Sequence, residues 1–458
     1  MEKQKRLHII TYGCQMNVHD SEKIAGLLQP EYELTPNLEE ADFILLNTCS
    51  VREKAEHKLY SKLGQLKSLK ARNPDLIIGV CGCVAQQEGE NIFKRAFHVD
   101  LVFGTNTIPK LPQLLEELQQ SRKSSGHPAR VVDLSNMDWQ EPEANMVREN
   151  RFKAYITIMR GCDKFCTFCV VPFTRGREES RPSKDILREA QLLADRGVIE
   201  IMLLGQNVTS YGKRVVSQGE RIRDDLSFPE LLAALNEVKG LQRIRYTTPH
   251  PRDLSQELIA AIRDLPKVCE HIHLPVQAGS SKVLKDMNRK YTKEQYLEKI
   301  QQLKQEVPNI SITTDIIVGF PGETEEDFQD TLDVMEKVQY DGCFAFKYSD
   351  RPHTKSPELP NPVPEEVKEA RLQRVLDLQK KISLEKNKSL LGQIQEVLVD
   401  ELNPKFPGKV TGRTRTNHIV TLPGGPELLG RLVHVEITEA YPYRLAGRLT
   451  SSEVGSQL

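Results

Sequence analysis

From Leu7 to Ser349, short β-branched or apolar runs alternate with longer charged stretches, and this alternation limits the fold more than any other feature. "LHIITYG", "DFILLNT", "LIIGVCG" and "LVFGTN" are too short for helices, and helix-prone segments such as "VREKAEHKLYSKLGQLKSLKA" lie between them. Strand–helix alternation of this kind implies βαβ units and a parallel sheet covered by helices. The pattern returns as "AYITIMRG", "IEIMLLGQN", "QRIRYTTPH", "HIHLPVQ", "ITTDIIVGF" and "CFAFKYS". Helical stretches separate these runs, among them "SKDILREAQLLADRG", ended by Gly197, and "YTKEQYLEKIQQLKQEVP", ended before Pro308. Six strand–helix units predict an incomplete parallel barrel, with ligands bound where the strands end.

Between these α/β segments, residues 121–150 turn polar and irregular, with "SRKSSGHPAR" and "MDWQEPEANMVREN", and read as a linker. After "LPNPVPEEV" the apolar residues Val367, Leu372, Val375, Leu378 and Ile382 fall at helical spacing. The remainder, "IQEVLVDEL", "FPGKVTGRT", "HIVTLPG", "LLGRLVHVEITEA" and "YRLAGRLT", is a set of short strands parted by Gly and Pro turns. It predicts a small antiparallel barrel. The expected division is therefore α/β throughout 1–120 and 151–383, with a β-barrel over 384–452. A chain of 458 residues has room for two to four such domains.

A hydrophobic fraction of 38% against 28% charge is that of a soluble globular protein. The N-terminus has no apolar signal region, and no apolar run approaches the ~18 residues of a membrane span, so a cytoplasmic, membrane-free and monomeric protein is expected. Nine cysteines, an odd number, without a secretion signal do not form a disulfide framework. With a net charge of -1, nucleic-acid binding requires a local patch.

Three of the cysteines, Cys162, Cys166 and Cys169, crowd into "RGCDKFCTFCVVP" after a predicted strand. A zinc site needs a second knuckle that the sequence lacks; a disulfide leaves one thiol over; a nucleophile needs no such neighbours. Three thiolates on a four-iron cluster leave one iron open, which suits a chelating amino-acid moiety rather than a pure electron carrier. Cys14, Cys49 and Cys83 each follow a predicted parallel strand, and parallel strand ends lie side by side. A second three-thiolate cluster is the favoured reading, against buried free cysteines. On spacing alone Cys81 competes with Cys83, two residues away on one strand. Cys269 and Cys343 read as core.

C-x-x-x-C-x-x-C after the first strand of a partial barrel resembles the radical S-adenosylmethionine enzymes. With "TYGCQMN", "NTCSVREKAE", "GCVAQ", "CTFCVVPFTRGREESR", "HLPVQAGS" and "IIVGFPGETEEDF", the chain is similar over nearly its whole length to the methylthiotransferases of that class. The resemblance implies a radical-SAM barrel, a C-terminal TRAM-type barrel, S-adenosylmethionine and two 4Fe–4S clusters, on Cys162/Cys166/Cys169 and on Cys14/Cys49/Cys83; it selects Cys83 over Cys81. "CTFCVVPFTRGREESR" and "HLPVQAGSS" look most like the branch that methylthiolates C2 of N6-isopentenyladenosine beside the tRNA anticodon. One S-adenosylmethionine would methylate sulfur at the N-terminal cluster, and a second would yield the radical that activates C2. A reducing partner such as flavodoxin or ferredoxin is implied. One departure is His353 in "KYSDRPHTKSP", where relatives tend to carry glycine; it leaves open the role of that loop and of Arg351.

Other candidates follow from position. Gly205, Gln206 and Asn207 end the second strand of the incomplete barrel, where they either bind the methionine moiety or cap a turn. Gln277 and Arg289 are carboxylate candidates, with a surface ion pair the competing reading for Arg289. Gly319 would admit adenine close to backbone. Thr324 with Asp327 reads as a helix cap, "TEED", and His250, His271 and His273 as structural. Asn17 and Asp20 either approach the nucleoside or cap a helix. Residues 151–190 carry nine Lys and Arg against five Asp and Glu, including Arg175, Arg177 and Arg181, which are candidate phosphate contacts beside tRNA. Lys409, Arg413 and Arg415 are the corresponding candidates on the C-terminal barrel. Within the enzyme class, methylthiolation of threonylcarbamoyladenosine or of a ribosomal-protein aspartate are the alternatives. Outside it stand a two-cluster electron-transfer or redox-sensing protein and a zinc-bearing RNA-binding protein.

Overall fold

A computed structural model describes residues 4–50, 53–125, 129–135, 146–148, 150–217, 220–222 and 225–450. The first unit is a six-stranded parallel sheet of β1 (Lys5–Tyr12), β2 (Tyr32–Leu34), β3 (Phe43–Thr48), β4 (Ile77–Gly82), β5 (Leu101–Phe103) and β6 (Val131–Asp133), in the order 2-1-3-4-5-6. Helices α1 (Gln15–Leu28), α2 (Glu53–Arg72), α3 (Cys83–Glu88), α4 (Asn91–Arg95) and α5 (Leu111–Ser125) connect them. β3 and β4 are apolar at nearly every position because both sheet faces are covered: one core includes Phe43, Leu45 and Phe103, the other Ile44, Leu46 and Val80. The segment expected to be a linker is partly structured. α5 runs to Ser125 and β6 adds the last strand, while 136–145 lie outside the described residues.

The second unit begins with β7 (Lys153–Thr157), followed by β8 (Met159–Arg160), α6 (Val171–Thr174), β9 (Glu179–Ser180), α7 (Ser183–Asp195), β10 (Glu200–Leu204), β11 (Val215–Ser217) and β12 (Glu220–Ile222). It continues with α8 (Phe228–Asn236), β13 (Arg243–Tyr246), α9 (Gln256–Asp264), β14 (His271–His273), α10 (Ser281–Asp286), α11 (Lys293–Glu306), β15 (Ser311–Val318), α12 (Glu325–Val338), β16 (Gly342–Lys347) and α13 (Glu365–Lys388). β7, β10 and β13 pair in parallel, as do β14, β15 and β16, and a parallel bridge from Ile244 to Val268 joins the two halves. This is the expected open six-stranded barrel. Helices seat their apolar stripes on it, as α7 does with Ile186, Ala190 and Leu193.

β17 (Ile394–Leu402), β18 (Lys409–Thr414), β19 (Ile419–Pro423), β20 (Leu432–Tyr441) and β21 (Arg444–Leu449) close a small barrel around Val397, Val410, Val420 and Val435. It is antiparallel except where β19 meets β21 in parallel. This barrel docks at the N-terminal ends of the second unit's strands. Arg243 and Arg245 of β13, both buried, donate to the Arg413, Thr414 and Arg415 carbonyl oxygens at 2.6–2.9 Å, and Arg415 returns a bidentate pair to Glu270 at 2.7 and 2.8 Å. Arg415 is therefore engaged in domain docking, and Arg413 donates to Asn417. Lys409 is exposed, its ammonium over the Phe406 ring at 5.7 Å.

Candidate active site

β1, β3 and β4 are neighbours and end level: Tyr12 pairs with Thr48, and Thr48 with Gly82. Just beyond stand Cys14 at the N-cap of α1, Cys49, and Cys83 as the first residue of α3. Gly82 makes that last turn with φ +90°, and a Cβ there would lie 2.4 Å from the Thr48 carbonyl oxygen. Cys81 packs instead among the apolar side chains of a sheet face, where burial pushes its thiol well above the ordinary range. Asn17 is a buried capping residue: it accepts from the Cys14 amide (3.3 Å) and thiol (3.5 Å) and donates to Asn47 Oδ1 (3.0 Å). A hydrogen bond from Cys49, helped by the Arg175 charge, holds Cys14 down to about 6 against the opposing effect of burial.

The second thiol set lies in the loop between β8 and α6. The loop is pinned at its middle: Thr167 donates to the Met287 and Asp286 carbonyl oxygens at 3.1 and 2.9 Å, and its own carbonyl accepts from Lys355 and Ser356 at 3.0 Å. The His353 loop is thus a clamp on the cysteine loop. His353 itself has φ +65°, a conformation that suits glycine, and its ring lies 5.9 Å from that of Phe173. Burial pushes Cys162 up to about 11 and Cys169 up to about 12, with the Cys166 charge adding to both. Bare, Cys162 and Cys169 are neutral, and a cationic centre is what would ionise them.

Arg289 is buried at 6% exposure, donates to Cys166 Sγ at 3.4 Å and to the Pro275 carbonyl at 2.9 Å, and is not the surface ion pair weighed above. Around it, non-glycine residues with positive φ gather at the strand ends: Phe165 (47°), Thr248 (62°), Gln277 (72°), Asn288 (60°) and Lys290 (62°). Strain concentrated at one end of a barrel marks a site whose shape is imposed by its surroundings.

A polar network orders the neighbouring loops. Asn207 donates to Ser210 Oγ (2.8 Å) and Asp253 (2.9 Å), Ser210 to Glu178 (2.6 Å), and Lys164 pairs with Asp253 at 2.5 Å. Against burial, Lys164 and Asn207 hold Asp253 down to about 2. Asn207 is thus a loop brace, whereas the Gln206 Oε1 and His250 Nε2 atoms are buried without a partner. Gly205 packs tightly on Met159, which a Cβ would meet at 2.4 Å. Gly319 has φ +73°, and a Cβ there would lie 2.3 Å from the Lys368 side chain of α13, so the turn requires glycine.

The three arginines of "TRGREESR" part company. Arg177 is 63% exposed, pairs with Asp163 at 2.7 Å and lies over the Phe165 ring. Arg181 is buried on the Thr157 carbonyl and Glu189, both at 2.8 Å, and Arg175 is buried on Asp20 at 2.9 Å. Neither is available to phosphate, because each guanidinium already has a carboxylate partner behind the surface. α6, which follows Cys169, packs on α3, which starts with Cys83, so the two thiol sets are linked through the contact between the first two units. Among the described residues no three His, Cys, Asp or Glu are spaced around a single ion; thiolates are the donors that iron–sulfur clusters take, and each set offers three thiols with an arginine nearby.

The fold and paired thiol sites define a radical S-adenosylmethionine enzyme. Matching family models cover residues 6–104 (Uncharacterized protein family UPF0004), 156–335 (Radical SAM superfamily) and 388–450 (TRAM domain). The chain is 51% identical to the tRNA-2-methylthio-N(6)-dimethylallyladenosine synthase of Thermoanaerobacter pseudethanolicus, over 96% of this chain and 92% of that protein. It is 49% identical to the synthase of Sulfurihydrogenibium sp., over 98% and 100%. The chain belongs to the tRNA-2-methylthio-N(6)-dimethylallyladenosine synthase family of radical S-adenosylmethionine methylthiotransferases. Among solved structures, the methyltransferase TsrM of Kitasatospora setae superposes with a TM-score of 0.55 at 13% identity, covering 86% of this chain and 78% of that one. OxsB gives 0.52 at 15%, covering 82% and 56%. Both show the fold. Among the described residues no helix is long and apolar enough to cross a membrane.

Proposed function

We propose that this chain replaces the C2 hydrogen of N6-dimethylallyladenosine (isopentenyladenosine), beside the tRNA anticodon, with a methylthio group. Cys162, Cys166 and Cys169 hold one 4Fe–4S cluster, and Cys14, Cys49 and Cys83 a second. The observation that carries the reading is the pair of three-thiol sets at the strand ends of two α/β units, linked by the packing of α6 on α3. When bound, the first cluster supplies the electron that cleaves S-adenosylmethionine and the second presents the sulfur. The chain's own residues do the rest. Arg289 braces the Cys166 side of the site, and Gln206 and Gln277 face the S-adenosylmethionine with polar groups. His250 is a further polar lining residue that sequence reading placed in a structural role. Arg177 and Lys409 are the exposed cations that meet tRNA phosphate. The protein acts in the cytoplasm as a monomer, reduced by a flavodoxin- or ferredoxin-like partner.

The test is mass spectrometry of nucleosides from dimethylallyladenosine-bearing tRNA incubated with anaerobically reconstituted protein, dithionite and methyl-labelled S-adenosylmethionine. A labelled 2-methylthio nucleoside is expected; unmodified tRNA beside an active positive-control enzyme contradicts the reading.

A further inference from the structure

Arg175 belongs by sequence to the second unit, six residues after Cys169, yet its side chain ends in the first. It is the C-cap of α6, is 7% exposed, and donates from Nη2 to Asp20 Oδ2 at 2.9 Å. Asp20 lies on α1, the helix whose N-cap is Cys14. The same α6 rests on α3, whose first residue is Cys83, and the preceding Thr174 carbonyl accepts from Thr105 of the first unit at 3.2 Å. A guanidinium buried this deeply has lost its hydration, and nearby negative charge offsets that cost. Of the charges acting on it, that of Cys83 is the largest, followed by Asp20 and Cys14.

We propose that Arg175 is a positioning residue for the N-terminal thiol site, a cation delivered across the domain seam to balance the charge of a cluster on Cys14, Cys49 and Cys83. It ties that site to the cysteine loop six residues upstream. The inference rests on the two-cluster reading above. Arginine suits the task because it stays charged when buried and holds Asp20 by a directed N–H while its remaining face offers charge to the thiolates. A nearby positive charge favours the more negative, reduced form of a cluster, so its loss moves the midpoint potential to more negative values.

The experiment uses the full chain carrying Cys162→Ala, Cys166→Ala and Cys169→Ala, so that iron reports on the N-terminal site alone. After anaerobic reconstitution, iron and sulfide are counted and the midpoint potential is read by EPR. Arg175→Met on this background is expected to lose more than half of the iron and to shift the remainder negative, while Arg175→Lys keeps the iron with a smaller shift. Iron content and potential equal to the parent's in Arg175→Met overturn the inference. Should Arg175→Met fail to fold, Arg175→Gln, which keeps an N–H donor for Asp20 but carries no charge, decides the matter by the same readouts. A parent that holds no iron overturns the two-cluster reading, an outcome distinct from a parent that holds iron indifferently to Arg175.

Discussion

A cysteine ligates iron as thiolate, and the two thiol sets reach that state by different routes. Cys14 is held at about 6 by Cys49 and the Arg175 charge, so it ionises as pH rises through about 6 and is charged at neutrality. Cys162 and Cys169 sit at about 11 and 12 and remain neutral there. In iron-free protein at pH 7, iodoacetamide should therefore alkylate Cys14 well before Cys162 and Cys169, as peptide mass spectrometry can follow. Equal rates for all three would contradict the described electrostatics. Spacing and strand position set the cysteines apart in the sequence, with Cys83 taken over Cys81 only on the family resemblance, whereas the partners of the charged residues around them left no such sign. Arg175 and Arg181 look like phosphate contacts until Asp20 and Glu189 appear behind them, and Arg289 looks like a surface ion pair until Cys166 does. Charge in a sequence carries no information about a carboxylate or thiol brought up from another element.

Among the elements, α12 shows how much local chemistry settles. "TEED" predicts a capping box, and Thr324 accepts from the Asp327 amide at 3.1 Å while Asp327 accepts in return from the Thr324 amide at 3.0 Å. Asp327 also receives Ser280 and Lys282, which hold its carboxyl down to about 2 against burial. Thr324→Ala should cost about 1 kcal/mol in urea unfolding. Because the depressed Asp327 contributes stability above the ordinary aspartate range, wild type should lose that contribution as pH falls from about 4 toward 2. Asp327→Asn, which removes the titrating group, should flatten this part of the stability profile; an unchanged acid limb would show that the cap does not set it. Some of the shortest elements went unread: β2 and β6 have three residues each and β9 two, so no alternation announces them.

For the molecule as a whole, the cysteine sites and the C-terminal barrel occupy opposite ends of the central unit. The barrel is held through Arg243, Arg245 and Glu200, all buried, and through the pair from Lys153 to Asp400. Arg245→Ala leaves Glu200 with one partner fewer in a buried position, a loss on the order of 3 kcal/mol. It should loosen the C-terminal barrel, read as faster proteolysis within 389–393 while the protein takes up as much iron on reconstitution as the parent. An unchanged cleavage rate would mean the barrel is held elsewhere.

The division of labour between the two thiol sets is tested most directly by product analysis of Cys14→Ala, reconstituted and given dithionite, S-adenosylmethionine and dimethylallyladenosine-bearing tRNA. The expected result is 5′-deoxyadenosine without any 2-methylthio nucleoside, because Cys162, Cys166 and Cys169 are intact while the sulfur-presenting site is not. Methylthio product at the wild-type yield would show that Cys14 has no part in sulfur insertion.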